Sequence, residues 1–320
     1  THYIFGMKAY NDMPFTPLKH TIAKYRWLYQ LGLQGPDMFF YNIPILRHRD
    51  YRNVGSYMHE HKVNAFFECC LRRIGTIRSR QQQEEAISYL AGFINHYIAD
   101  SICHPYVYGR IGYPVDAPTS MHHGMHAHLE NELDAILLWK YKKKKPSEFN
   151  QTATICLNGQ EIQFISHFLA SCINETYYPI TYRNNFQVTP AMVHRSIWAL
   201  RFGCRTLSDK NGKKKFGIAQ VESIFVNHPV ASAKMVTDSV TDYRSSCNLN
   251  HEAWGNPWDP TRVSTASFVD LFHETLDKCS RVYALLNSAV TDNMPLDKQD
   301  LSPLLAELGN ESYHSGLPVE

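Results

Sequence analysis

The stretch QQEEAISYLAGFINHYIADSICH, residues 82–104, is the clearest helix in the sequence. Apolar residues recur through it at helical spacing, which predicts a largely apolar helix. Glu84 and Glu85 in its first turns are favourable near the positive end of a helix dipole. Pro105 follows directly and is expected to end the helix at His104, because proline cannot continue the hydrogen-bond ladder.

Helical patterns recur outward from this stretch in both directions. Asn158-Gly159 is compatible with one short strand pair, and residues 248–262 resemble a loop rich in tryptophan and proline. Alternating strand–helix units and internal repeats are both absent from the sequence, so an all-α fold is expected. The other predicted helices cover residues 17–33, 53–78, 124–142, 161–176, 190–208, 217–246 and 266–288.

Composition excludes several classes of protein. The chain has 320 residues, enough for one large domain or two ordinary ones. Its 32 Lys+Arg against 30 Asp+Glu give a net charge of +2, which argues against a generally basic nucleic-acid-binding protein. A mean hydropathy of −0.36 with steady apolar content excludes wholesale disorder. The longest apolar runs are too short to predict a transmembrane helix.

The eight cysteines are scattered, and none forms a C-x-x-C pair. A structural zinc finger and a disulfide framework are therefore both disfavoured. Free thiols packed as small hydrophobic groups fit a reducing compartment. We accordingly expect a cytoplasmic location, or secretion if the chain is a processed mature form.

Histidine is unusually concentrated near the start of the chain. Of 17 histidines, 11 lie in residues 1–130, where an even spread would place about seven. Histidine is the commonest metal ligand and carries protons near neutral pH. The sequence therefore directs attention to metal binding or proton transfer in its first half.

The strongest local pattern is His96, Asp100 and His104, spaced at i, i+4 and i+8. On a helix this spacing places the three side chains along one face. A carboxylate between two imidazoles suits a divalent metal. A polar network on a helix face is the simpler alternative, but the clustering favours metal. With the helix predicted to end at Pro105, His104 could turn toward a second ion.

A second cluster offers two overlapping pairs, His126 with Glu130 and His128 with Glu132. The pairs point about 200° apart around a helix, so they cannot share one site. Neighbouring apolar residues favour the His126–Glu130 pair over the His128–Glu132 pair as metal ligands, but only modestly. Asp134, one turn after Glu130, is a candidate partner that would orient a ligand.

Three further candidates carry little weight alone. Asp37 lies in a Gly-Pro-Asp turn, where ordinary turn chemistry explains an aspartate. His59 fits a solvent-exposed pair with His61, and His2 fits a core or surface histidine. None of the three predicts a site without the others.

Taken together, these residues resemble the zinc-dependent phospholipase C family, whose ligands follow in the order His, Asp, His, His-x-x-x-Asp, His and His-x-x-x-Glu. The family's closing motif, His-x-x-x-Glu-Asn-x-x-Asp, matches residues 126–134 and selects His126 with Glu130. The resemblance is firm over residues 1–140 and thin beyond 150. The matching side chains here are His2, Asp37, His59, His96, Asp100, His104, His126 and Glu130.

The resemblance implies a single-domain helical bundle with two or three zinc ions in a cleft between helices. We therefore expect one all-α domain over residues 1–320. Residues 1–145 would form the metal-ligand core, residues 150–290 would add helices packed on it, and residues 291–320 would form a loosely packed polar tail.

The resemblance also implies how the ligands divide among the ions. One set is His96, Asp37 and His59, a second is His104, His126 and Glu130, and a third is His2 with Asp100. Asp100 would bridge two ions, and Thr1 is a further candidate ligand at the third.

Three positions depart from the family pattern. Thr1 stands where family members begin with a tryptophan that binds the third zinc. The gap of four from Asp100 to His104 is shorter than in well-known secreted members. Choline-preferring members carry aromatic residues where this chain has Met38 and Ser56, so their head-group pocket is not carried over.

The implied activity is hydrolysis of a phospholipid to diacylglycerol and a phosphorylated head group by a metal-activated water, with Asp37 as candidate general base. Peripheral membrane contact would accompany such a substrate. P1-type nucleases share the zinc arrangement but place Asp where Glu130 stands. The lysine clusters at 142–145 and 213–215 fit a solvated helix end and a turn, so a nucleic-acid substrate is disfavoured. Other phosphate-ester hydrolysis, and a non-catalytic zinc protein that binds lipid, remain alternatives.

Overall fold

The computed structural model describes residues 1–42, 53–178, 186–206, 214, 238, 240 and 242–320. Regular structure in these residues is helical apart from one two-stranded antiparallel sheet and an isolated bridge, which confirms the all-α prediction. Most of the predicted helix 217–246 and of the lysine cluster at 213–215 lies outside the described residues.

The elements follow one another along the chain as helices of very different lengths. The α-helices are α1 His2–Asp12, α2 Pro17–Lys24, α3 Arg26–Gly32, α4 Val54–Glu60, α5 Val63–Thr76, α6 Arg80–Arg110, α7 Ser120–Lys142, α8 Gly159–Tyr177, α9 Pro190–Thr206, α10 Tyr243–Ser246, α11 Phe268–Thr291 and α12 Ser302–Leu308. The 3₁₀ helices are Gly35–Tyr41, Pro146–Glu148 and Gln151–Thr154, and the strands are β1 Trp254–Asn256 and β2 Asp259–Ser264.

Helix α6 is the central element, and it is longer than the sequence predicts. It continues through Pro105 to Arg110, so the expected stop after His104 is wrong. Proline inside a helix removes one hydrogen bond and crowds the preceding turn, at a cost of about 3 kcal/mol. Gly316, in a left-handed conformation, lies directly against this turn, since an added Cβ would be 2.6 Å from the Ser101 carbonyl oxygen and 3.0 Å from Pro105 Cγ.

Helices α3 and α6 cross at very short range because each carries a glycine at the contact. A Cβ added at Gly92 would lie 2.1 Å from the carbonyl oxygen of Tyr29, and one at Gly32 would lie 2.1 Å from that of Tyr89. The chain leaving α3 therefore runs directly along α6. As a result, the 3₁₀ helix Gly35–Tyr41 begins against the face of α6 that carries His96.

Two predicted helices are each divided in the structure. The helix expected over 17–33 is interrupted at Tyr25. The one expected over 53–78 divides between α4 and α5, where Lys62 adopts a left-handed conformation with φ 48° and donates its backbone N–H to Glu320. Local periodicity could not predict this break, because it depends on a contact with a residue more than 250 positions away.

Three local expectations are wrong. Asn158 does not form a hairpin turn with Gly159; its side chain accepts a hydrogen bond from the Glu161 N–H and caps α8. The expected loop 248–262 instead contributes β1 and the first part of β2 to a hairpin, in which Trp254 lies opposite Ser264. The expected loose tail is packed.

The C-terminal residues belong to the protein core. Leu301, Leu304 and Leu308 are buried in the same hydrophobic cluster as residues near the N-terminus such as Leu18. Tyr313 is buried in that cluster as well, and its backbone N–H donates to the carbonyl of His59. In the described part of the chain, no helix is both long and apolar enough to cross a membrane.

Candidate metal centre

The structure brings the eight predicted ligand side chains into one connected cluster. Helix α6 places His96, Asp100 and His104 along one face, as their spacing predicts. Asp100 is the hub and is 3% exposed. Its carboxylate oxygens lie 3.0 Å from His96 Nε2, 3.3 Å from His2 Nε2, 3.7 Å from His104 Nε2 and 4.0 Å from His59 Nε2.

Three of the imidazoles are fixed by backbone carbonyls. Nδ1 of His59 lies 2.7 Å from the Gly55 carbonyl, and Nδ1 of His96 lies 3.1 Å from that of Leu33. Nδ1 of His104 lies 2.8 Å from the carbonyl of Tyr313. A neutral imidazole that donates from Nδ1 keeps its lone pair on Nε2. In each case Nε2 faces the carboxylates, which is the orientation a metal ligand requires.

Helix α7 supplies the second part of the cluster. Glu130 Oε1 lies 3.0 Å from His104 Nε2 and 3.1 Å from His126 Nε2. The competing pair stays apart from it, because His128 is half exposed and the buried Glu132 accepts a hydrogen bond from Ser246. The His126–Glu130 pair is therefore the one that reaches α6.

The remaining candidate ligands form overlapping groups. His59 Nε2 lies 3.2 Å from Asp37 Oδ1. The donor atoms of His2, Asp37 and His96 lie within 4.8 Å of one another, and so do those of His59, His96 and Asp100. His96 is thus common to two possible groups, whereas His104, His126 and Glu130 form one group of their own.

The two accessory candidates contact each other. The backbone nitrogen and the hydroxyl of Thr1 both lie against the Asp134 carboxylate. Asp134 therefore holds the residue that precedes His2. This contact joins α7 to the start of α1, beside the candidate ligand His2.

The C-terminal segment contributes residues that the sequence analysis missed. His314 stacks on His59 with ring centroids 4.9 Å apart, and its Nδ1 lies 3.6 Å from Glu60 Oε1. The ring of Tyr313 packs on His59, and its carbonyl oxygen lies within hydrogen-bond distance of His104 Nδ1. These two residues lie more than 180 positions after the last predicted ligand, Glu130, and no spacing rule could have connected them.

The cluster stabilises its carboxylates in the charged form. Burial opposes ionisation of Asp100, but the neighbouring imidazoles, led by His104, outweigh it and hold its pKa well below the usual range. Burial likewise opposes ionisation of Glu130, and His126 and His104 lower its pKa. Burial would lower the pKa of His104, yet the two carboxylates raise it to about 10. Buried negative charge of this kind requires either protonated imidazoles or a bound cation.

Several polar atoms of the cluster have no hydrogen-bond partner although they are buried. They are His2 Nδ1, His96 Nε2, Asp100 Oδ2 and His126 Nδ1. His96 Nε2 and Asp100 Oδ2 lie 3.0 Å apart without hydrogen-bond geometry. Unpaired buried donors and acceptors are costly, and imidazole nitrogens with carboxylate oxygens are ligands that zinc takes. The residues present therefore fit a zinc centre.

Gly35 leaves room for His96 and allows a test of the centre. Its φ is +48°, and an added Cβ would lie 2.1 Å from Cδ2 and 2.6 Å from Nε2 of His96. We expect Gly35→Ala to displace that imidazole and to weaken zinc binding roughly 10- to 100-fold. Competition with a chromophoric chelator measures the affinity.

Gly112 provides the matched control for this substitution. It too has a positive φ, +62°, but an added Cβ would meet nothing within 4 Å. Gly112→Ala should cost about 1 kcal/mol of stability through backbone strain alone, with zinc affinity unchanged. Equal zinc affinity in the two variants would show that Gly35 does not set the position of His96.

Comparison with known proteins agrees with this geometry over more than half of the chain. A family model described as zinc-dependent phospholipase C matches residues 1–181. The match spans α1 to α8 and includes every residue of the ligand cluster. No curated protein and no solved structure matches the chain.

Proposed function

Since the chain belongs to the zinc-dependent phospholipase C family, we propose that it hydrolyses a phospholipid to diacylglycerol and a phosphorylated head group. The observation that carries this proposal is the position of Asp100. It lies between the His104–Glu130 group and the His59–His96 group, within 4.0 Å of a histidine from each. One carboxylate shared by two groups is the arrangement that a multinuclear hydrolytic centre needs.

Zinc supplies the positive charge that binds a phosphodiester anion and acidifies water. One group that would hold zinc is His59, His96 and Asp100, and a second is His104, His126 and Glu130. The carbonyl contacts of the imidazoles keep the ligand atoms in place before substrate arrives. Preorganisation of this kind lowers the cost of stabilising charge at phosphorus in the transition state.

Asp37 is the residue we propose as general base. Its side chain is 35% exposed, whereas the side chain of Asp100 is 4% exposed. Solvent and substrate can therefore reach Asp37. His59 holds one of its oxygens at 3.2 Å, which leaves the other oxygen for a water proton.

The activity test is a substrate panel with the protein as purified. We expect release of phosphorylated head group from phospholipid, loss of turnover with a chelator, and recovery on adding zinc. Single-stranded DNA and a phosphate monoester are assayed in parallel. Turnover of DNA but not of phospholipid would replace this proposal with a nuclease, and turnover of nothing would favour a zinc protein that only binds lipid.

The nuclease alternative has one observation against it at the centre itself. Glu130 occupies the position at which P1-type nucleases carry an aspartate. Its longer side chain reaches both His104 and His126, with distances of 3.0 and 3.1 Å. We therefore place the phospholipid first among substrates.

A further inference from the structure

Helix α9 carries two large aromatic side chains on its solvent side. Trp198 is 63% exposed and Phe202 is 54% exposed. They are one helical turn apart, and their rings stack in parallel, with centroids 5.4 Å apart and an interplanar angle of 8°. Exposed aromatic pairs of this size are unusual unless the surface has a partner.

The same face of α9 is positively charged. Arg195, Arg201 and Arg205 fall at the spacing that places them beside Trp198 and Phe202. The helix contains no acidic residue. Its opposite face is buried through Val193, Ile197 and Leu200. We call the five solvent-side residues, Arg195, Trp198, Arg201, Phe202 and Arg205, the α9 face.

Helix α9 is attached directly to the 3₁₀ helix that carries Asp37. Asn42, at the end of that 3₁₀ helix, donates from Nδ2 to the Met192 carbonyl at 3.1 Å and to Ser196 Oγ at 3.0 Å. An added Cβ at Gly203 would lie 2.5 Å from the Tyr41 ring. The two helices are therefore packed together through the side of α9 that lies opposite the α9 face.

An exposed aromatic side chain also lies on the Asp37 side of this junction. Phe40 is 37% exposed, and its ring centroid is 5.5 Å from that of His59, a candidate ligand. Exposed aromatic surface thus occurs beside the metal cluster and on the helix packed against that segment.

We propose that the α9 face docks the protein on a phospholipid bilayer that contains anionic lipid. The inference rests on the proposed function only in explaining why the protein would bind a lipid surface. Tryptophan and phenylalanine partition into the interfacial region of a bilayer. Arginines are attracted to anionic head groups. Docking there would keep the protein at the surface in which its substrate resides.

The stacked rings favour a bilayer over a nucleic acid. Single-stranded nucleic acid binds by inserting bases against aromatic ring faces. Trp198 and Phe202 turn one face each toward the other, so those faces are occupied. Insertion into a bilayer requires exposed apolar surface, and it does not require that a ring face be free for stacking. A second copy of the chain fits poorly as well, since its α9 face would bring three more arginines against these.

The main experiment measures binding to vesicles before appreciable lipid has been hydrolysed. Vesicles of phosphatidylcholine with one third phosphatidylserine are sedimented with the full chain. We expect Trp198→Ala/Phe202→Ala to weaken binding at least about tenfold. Replacing Arg195, Arg201 and Arg205 with glutamine should weaken it about tenfold and remove most of its salt dependence. Circular dichroism verifies that the variants are folded.

Trp139→Ala is the matched control. Trp139 is also exposed, at 55%, and is followed by Lys140 and Lys142, but it lies on α7 about 20 Å along the helix axis from His126. Vesicle binding by this variant should equal that of the unmodified protein. Equal losses in the Trp139 and α9 variants would overturn the proposal, as would unchanged binding in the α9 variants.

Two further measurements separate this inference from the proposed function. Hydrolysis of a monomeric, short-chain phospholipid should not change in Trp198→Ala/Phe202→Ala. A protein that hydrolyses no phospholipid but binds vesicles through α9 would contradict the proposed function alone. Oligonucleotide binding or dimerisation that depends on Trp198 and Phe202, without vesicle binding, would contradict the bilayer as the occupant.

Discussion

Asp100→Ala is expected to remove more than one zinc ion from the protein and to lower phosphodiester hydrolysis at least about a thousandfold. The reason is that Asp100, among the residues that the structure describes, is the carboxylate in contact with histidines of both ligand groups. Its oxygens lie 3.0 Å from His96 Nε2 and 3.7 Å from His104 Nε2. Metal analysis should find two or three zinc ions in the unmodified protein and at least two fewer in the variant.

Glu85→Gln is the control for this substitution. Glu85 lies on the same helix, α6, and is 4% exposed, but its carboxylate accepts a hydrogen bond from Gln81 and has no contact with the cluster. Its zinc content and activity should match those of the unmodified protein. A full zinc complement in Asp100→Ala would contradict a bridging role. Finding no zinc, or a single ion, in the unmodified protein would contradict the centre itself.

Much of the α6 contribution to the site can be predicted from spacing alone. His96, Asp100 and His104 are four residues apart on a strongly periodic helix, and a helix places such residues on one face whatever it packs against. The predicted helix end at His104 is wrong, but the predicted grouping of the three side chains does not depend on it. Because α6 continues through Pro105, His104 keeps the same face and still reaches Glu130 at 3.0 Å.

The ligands outside α6 and α7 are different, because tertiary packing positions them. Asp37 depends on the close crossing of α3 and α6 at Gly32 and Gly92, and single-sequence periodicity does not report such a crossing. The order of residues in the family resemblance was the signal that joined Asp37, His59 and His2 to the site. Their division among the ions stays a prediction, and the structure places His96 within reach of two groups.

The C-terminal contribution had no local signal. The segment after 290 is polar and contains several prolines and glycines, which predicts a loose tail. In the structure the Tyr313 carbonyl fixes His104, and the ring of His314 covers His59. Tyr313 contacts the site through one carbonyl and His314 through one ring. A single contact of this kind produces no periodic pattern in the sequence.

The substitution Asp37→Asn distinguishes the two roles proposed for Asp37, general base and metal ligand. The amide keeps an oxygen that can face a cation, but it cannot accept a proton from water near neutral pH. We expect zinc content to stay within one ion of the unmodified protein and turnover of a soluble phosphodiester to fall about 10²- to 10⁴-fold. Steady-state kinetics and metal analysis on the same preparation give both quantities.

Asp12→Asn and Asp37→Ala complete this experiment. Asp12 is an exposed aspartate at the end of α1, paired with Lys8 at 2.8 Å, and its substitution should leave zinc and turnover unchanged. Asp37→Ala removes the ligand oxygen as well, so it should lose zinc that Asp37→Asn retains. Full turnover by Asp37→Asn with its zinc in place would exclude Asp37 as the base. If Asp37→Asn instead loses as much zinc as Asp37→Ala, the carboxylate charge is needed to hold the ion, and the base must be sought elsewhere in the cluster.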